Sequence, residues 1–66
     1  MDTTMGNAAE LSSVTTALDE MTKRVTAMAD AYAEQRREDL AGELYAVERQ
    51  LANAVRRLGK VVDSEA

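Results

Sequence analysis

The stretch YAEQRREDLAG, residues 32–42, decides whether this chain forms one helix or two. Its charge changes sign abruptly where the pair RR, residues 36–37, meets the pair ED, residues 38–39. Cations stabilise the C-terminal end of a helix and anions stabilise the N-terminal end. The order of charges therefore favours a first helix that ends here and a second that begins here, with Asp39 as a candidate N-cap.

The apolar residues on either side of this stretch recur at steps of three and four, the period of an amphipathic helix. The first series is Leu11, Val14, Leu18, Met21, Val25, Met28 and Tyr32. The second series is Leu40, Leu44, Val47, Leu51, Ala54, Leu58 and Val61, widened by Ala41, Val55 and Val62. In one continuous helix the two series would point in directions roughly 90–120° apart. This change of phase favours two helices whose apolar series form the core and interface.

The composition of the stretch instead favours one continuous helix. AEQRRED consists of good helix formers, and the nearest helix breaker, Gly42, comes four residues after the change of charge. One long coiled-coil helix with a displaced seam therefore stays open as the alternative to an antiparallel hairpin. For the hairpin we predict a flexible arm over residues 1–9, a helix over 10–36, a turn over about 37–39, a helix over 40–62 and a tail over 63–66.

The overall composition supports an all-α fold. Hydrophobic residues make up 45% of the 66-residue chain and aromatic residues only 3%, so the core must consist of Leu, Val, Met and Ala. Proline is absent and glycine occurs only at positions 6, 42 and 59, so the residues that punctuate strands and tight turns are nearly missing. Such a core suits packed helices.

A hairpin of this size needs reinforcement, because one internal seam rarely offsets the ordering of about fifty residues at about 1.5 kcal/mol each. The sequence has neither Cys nor His, which excludes disulfides and the usual structural zinc site. Small residues beside the first seam would let neighbouring helices approach closely; they are Ala17, Ala27, Ala29, Ala31 and Ala33. We therefore expect a homodimer in which two hairpins form a four-helix bundle.

The residue types leave little catalytic chemistry. Without His or Cys, most nucleophilic, metal-binding and proton-transfer sites are excluded, including the Glu-x-x-His sites of di-iron bundles. Two carboxylate pairs have a spacing of four residues, Glu34 with Glu38 and Asp39 with Glu43. Neither pair is embedded in an apolar stripe, so we interpret both as surface charges and predict no catalytic residue, metal or cofactor.

Two features are candidates for partner binding. Arg49, Arg56, Arg57 and Lys60 make the end of the second helix locally basic, so they could contact nucleic acid, anionic lipid or an acidic protein. More often such a group is a solvated face near a helix C-terminus. Tyr45 lies outside the narrow second seam, and if exposed it is the first candidate for a partner contact, because Tyr is enriched in interface hot spots.

The net charge of −4 does not suit a protein that binds phosphate backbones, which requires clustered positive charge. No window approaches the roughly 18–20 consecutive apolar residues of a membrane span. The N-terminal residues lack the basic start and apolar run of a signal peptide. We therefore expect a cytoplasmic protein, with leaderless secretion as the alternative, and neither nucleic acid nor membrane as its main partner.

Two apolar series with no chemistry between them predict a non-enzymatic interaction or oligomerisation module, which serves as a small adaptor or accessory subunit for a larger protein. One alternative is a small regulator of the antitoxin or anti-factor type, which folds fully only with a heterologous protein. Another is a weak nucleic-acid or membrane-surface binder that uses the basic helix face. We assign no family from the sequence.

Overall fold

The computed structural model describes residues 3–65, with side chains from residue 7, and consists of two helices that run antiparallel. Helix α1 spans Thr3–Glu34 and helix α2 spans Glu38–Glu65. The pair forms a rod of 51 × 17 × 12 Å. The predicted all-α hairpin is confirmed, and the described part of the chain contains no strand. Neither helix is long and apolar enough to cross a membrane.

The helix bounds differ from those predicted. Helix α1 already begins at Thr3, because Ala8, Ala9 and Glu10 favour helix by propensity although they lie before the apolar period. Helix α2 continues through Glu65, so most of the predicted C-terminal tail is helical. Residues 1, 2 and 66, which we assigned to the arm and the tail, lie outside the described residues.

The chain reverses over residues 35–37, two residues before the predicted turn. The Arg37 amide donates to the Tyr32 carbonyl at 2.9 Å, and the Arg36 amide donates to the Ala33 carbonyl at 3.1 Å. This pair of bonds is a Schellman motif, which satisfies carbonyls at the end of a helix. Arg36 has a φ of 65°, the left-handed conformation that the motif requires and that usually selects Gly.

Helix α2 is capped by a different residue from the one predicted. The Ala41 amide donates to the Arg37 carbonyl at 3.0 Å, so Arg37 occupies the N-cap position and Asp39 lies in the first turn. The Leu40 amide, and after it the Arg37 guanidinium, holds the pKa of Asp39 below its ordinary value. The Arg37 Nε lies 3.6 Å from the Asp39 Oδ1, and both side chains are exposed. Asp39 therefore complements the helix dipole without being the cap.

The two helices contact each other through small side chains. The most buried described residues are Ala29, at 0% exposure, Ala41, at 3%, and Thr22, at 7%. Thr22 precedes Ala29 by seven residues, and the half-buried Thr15 precedes Thr22 by seven, so all three lie on one line along α1. We call the side of α1 marked by Thr15, Thr22 and Ala29 its buried line.

The threonines of this contact satisfy their own hydroxyl groups. The hydroxyls of Thr15, Thr22 and Thr26 each donate to the carbonyl four residues earlier, at 2.7, 2.7 and 3.1 Å. Among the described residues, no buried side-chain nitrogen or oxygen lacks a hydrogen-bond partner. Burying these polar side chains therefore leaves no donor unsatisfied between the helices.

The predicted core and interface residues differ in their exposure within the single hairpin. Most members of the predicted core are half-buried, namely Leu11, Leu18, Val25, Tyr32, Leu40, Leu44, Leu51, Val55, Leu58 and Val62. The exposed large apolar residues are Val14, Met21, Met28, Val47 and Val61, between 39% and 55% exposed. The hairpin seam therefore does not include Met21 or Met28, because the small residues next to them occupy the helix–helix contact.

Substitution of Ala29 tests this packing. Ala29→Leu should overfill the contact and lower the free energy of unfolding by about 1–3 kcal/mol. The matched change Ala27→Leu, at an exposed position of the same helix, should alter it by less than about 0.5 kcal/mol. Urea denaturation of both variants at one protein concentration gives the two changes in the free energy of unfolding. Equal changes in the two variants would contradict the packing.

Substitution of Arg36 tests the turn. Arg36→Gly should raise the free energy of unfolding by roughly 0.5–1 kcal/mol, because Gly adopts the left-handed conformation without a Cβ clash. Ala33→Gly is the control, since Ala33 lies inside helix α1, where Gly should lower the free energy of unfolding by about 0.5–1 kcal/mol. A loss of stability in Arg36→Gly, measured by thermal and urea denaturation, would contradict the assigned turn.

Candidate interaction surfaces

The exposed apolar side chains occupy one face of the hairpin. On α1, Val14, Met21 and Met28 each directly precede a residue of the buried line. On α2, Ala41, Glu48, Val55 and Val62 repeat every seven residues along the side that contacts α1, and all are buried or half-buried. The residues that precede the last three of them are Val47, Ala54 and Val61.

The two apolar stripes lie on the same side of the molecule. One residue earlier in a helix corresponds to a rotation of about 100°. The rotation has the same sense in both helices when each helix is viewed from its own N-terminus. Because the helices are antiparallel, equal rotations away from their mutual contact carry both stripes to the same face. We call the surface formed by Val14, Met21, Met28, Val47, Ala54 and Val61 the open face.

A hydrogen bond fixes which residues lie at the same height. The Tyr45 hydroxyl donates to the Asp30 Oδ1 across the two helices at 2.5 Å. Counting outward from this bond, with the same rise per residue in both helices, gives the levels of the open face. Met28 lies level with Val47, Met21 with Ala54, and Val14 with Val61. The open face thus consists of three layers, each with one residue from each helix.

Two depressions lie beside the open face, and both are lined by α1. One, of about 320 Å³, is lined by Met28, Ala31, Tyr32 and Gln35. The other, of about 350 Å³, is lined by Met21, Arg24, Val25 and Met28. Their linings are mainly apolar and contain one cation and no carboxylate. They suit contact with another apolar surface better than the positioning of a reactive group.

The opposite face of the hairpin is polar. On α1, Lys23 and Asp30 directly follow residues of the buried line, and both are exposed. On α2, Arg49 and Arg56 directly follow residues of the side that contacts α1, and both are exposed. Tyr45 is half-buried on this side, and its hydrogen bond to Asp30 raises the pKa of its hydroxyl. The candidate contact Tyr45 therefore has its hydroxyl engaged within the hairpin.

The predicted basic group is not a patch of one charge. Arg49 and Arg56 lie on the polar face, whereas Arg57, two residues after Val55, points away from α1. Asp19 lies level with Arg56 on the neighbouring helix and contacts Lys23 at 3.5 Å. Lys60, also exposed, is followed three residues later by Asp63. Alternating charges of this kind produce little long-range field.

The predicted carboxylate pairs are also placed by the structure. Glu34 ends α1 and Glu38 begins α2, so the turn separates the first pair, while Asp39 and Glu43 share α2. All four are exposed. Across residues 3–65 no three Asp or Glu side chains are grouped so that they could hold a metal ion.

The Tyr45–Asp30 bond can be tested by titration in a Tyr32→Phe background, where Tyr45 is the remaining tyrosine. The pKa of Tyr45 should lie above its ordinary value, and Asp30→Ala should lower it towards that value. Because the folded chain raises this pKa, the bond's stabilisation is fully present at neutral pH and is lost as the pH rises past about 10. Tyrosinate absorbance gives the pKa, and the same value in both proteins would contradict the bond.

Comparison of the chain with models of protein families, with curated proteins and with solved structures finds no match. The function must therefore be inferred from the surfaces of the hairpin themselves.

Proposed function

We propose that this chain is a non-enzymatic oligomerisation module in which two hairpins associate through their open faces into a four-helix bundle. The dimer serves as a small adaptor or accessory subunit and presents its polar faces to a larger protein. The observation that carries the proposal is the open face, where Met21 and Met28 are 55% and 50% exposed and the three valines are between 39% and 45% exposed.

The accessible area of the single chain supports a partner on this face. The chain exposes 5075 Å². A compact folded monomer of 7.2 kDa is expected to expose roughly 4,100 Å². The excess, on the order of 1,000 Å², is close to the roughly 800 Å² that each partner contributes to a standard protein–protein interface. A second copy offers an open face of equal length and the same chemistry.

The arrangement of layers also suits half of a bundle. Between the levels of the open face lie half-buried pairs that point partly in the same direction, namely Tyr32 with Leu44, Val25 with Leu51, and Leu18 with Leu58. In a four-helix bundle, the large residues of each heptad point to the central axis, while smaller residues can separate adjacent helices. The hairpin has this division, with Thr22 and Ala29 between its helices.

The choice of a binding rather than a catalytic role rests on residue types. The sequence has no His or Cys, and its carboxylates are distributed over exposed helix ends and the polar face. A protein partner is favoured over nucleic acid because the polar face has alternating charge and the chain carries a net charge of −4.

Substitution on the open face tests the proposal. Met21→Glu places a carboxylate in the middle layer of the interface, where its burial should weaken dimerisation by about a hundredfold or more. Ala27→Glu, at an exposed position away from the open face, is the matched control and should leave the dissociation constant within about threefold of the original. Sedimentation equilibrium over a range of concentrations gives the dissociation constant of the dimer for the original chain and for both variants.

Two outcomes would contradict self-association. One is an original chain that stays monomeric at every concentration, and the other is a Met21→Glu variant that dimerises as well as the control. A monomer that gains helix and stability only with a different protein would instead identify the heterologous regulator considered above.

A further inference from the structure

The two helices have unequal lengths, and the difference lies at one end of the hairpin. Helix α1 has 32 residues and α2 has 28. Counting outward from the Tyr45–Asp30 bond, the last residue of α2, Glu65, lies level with Glu10. Among the described residues, no part of α2 lies beside residues 3–9 of α1. We call these residues the overhang.

The opposite end of the same helix carries an uncovered depression. Met28, Ala31, Tyr32 and Gln35 surround a volume of about 320 Å³ next to the turn, and α2 contributes nothing to its lining. Within residues 3–65, one end of α1 thus extends past α2, and the other end has an apolar depression that α2 does not line.

We propose that two copies dock with their turns at opposite ends of the bundle, so that the overhang of each copy extends towards the depression of the other. This inference rests on the proposed self-association and adds its arrangement. The twofold axis crosses the open face at the level of Met21 and Ala54, and α1 packs antiparallel against the partner's α1.

The levels of the open face support this axis. Met21 lies midway between Val14 and Met28, and Ala54 lies midway between Val47 and Val61. Rotation about the middle layer therefore places Met28 over the partner's Val14 and Val47 over the partner's Val61. The middle layer contains two Met21 and two Ala54 side chains, and the small alanines leave room for the long methionines.

The same rotation brings the N-terminal part of α1 to the depression. Leu11 comes level with the partner's Ala31, and Asn7 comes level with the partner's Gln35. Leu11 is half-buried within the single hairpin, so it keeps apolar surface for this contact. The end of α1 that begins the overhang thus covers the depression, and each copy completes the other.

An arrangement with both turns at one end is less favourable on two counts. Of the residues that the structure describes, none of either α2 would then lie beside the overhangs. The arrangement would also bring together two turn regions that each carry four carboxylates, Glu34, Glu38, Asp39 and Glu43, against the two guanidiniums of Arg36 and Arg37. With opposite turns, these like-charged regions lie about 40 Å apart, far beyond the screening length of about 8 Å in physiological salt.

Spin labelling distinguishes the arrangements, because the chain has no Cys and single labels can be placed without other changes. Glu34→Cys puts an exposed label beside the turn, and Glu20→Cys puts an exposed label near the proposed axis. Opposite turns predict a label separation of about 40 Å at position 34, from 1.5 Å per residue along the axis. At position 20 the separation should be under about 25 Å, set by the width of the bundle.

Dipolar electron paramagnetic resonance of the full chain measures both distances, with circular dichroism to show that each labelled protein keeps its helix content. A long distance at position 34 with a short distance at position 20 is the expected result. Short distances at both positions would overturn the proposed arrangement while leaving the dimer intact. Complete labelling with no dipolar interaction at either position would overturn self-association itself.

Discussion

The close contact of small side chains between α1 and α2 determines the surface of this protein. Thr22, Ala29 and Ala41 are the most buried described residues, so small side chains lie at the centre of the contact between the two helices. On each helix, the residues that directly precede the contact residues then point to the same side of the hairpin. The open face is therefore a consequence of how the helices pack, and the uncovered methionines follow from the buried alanine and threonines.

The turn and the Tyr45–Asp30 bond keep the two stripes of the open face aligned. The Schellman motif ends α1, and the Arg37 carbonyl starts α2, within three residues. A connection of this length makes the helices antiparallel neighbours. The turn therefore sets the antiparallel topology, which places both apolar stripes on the same face.

The hairpin has two long faces of different chemistry. The open face is aliphatic, and the excess accessible area of the single chain is on the order of one partner's share of a standard interface. The polar face carries alternating charges, with Asp19 beside Lys23 and level with Arg56. In the proposed dimer the open faces are mutually covered and two copies of the polar face remain available. A larger protein would meet charge patterns, which favour specificity over affinity.

The sequence favoured a pair of helices with a reversal near residue 38, because the apolar phase and the charge both change there, but its helix-forming composition left one long helix open. It did not reveal the left-handed Arg36, since Gly or Asn normally marks that position. Which edge of the heptad stripe lies inside was decided only by the tertiary structure. Hydrophobicity ranks Met21 above Thr22, but the contact between the helices buries the smaller side chain, and that contact exists only when both helices are present.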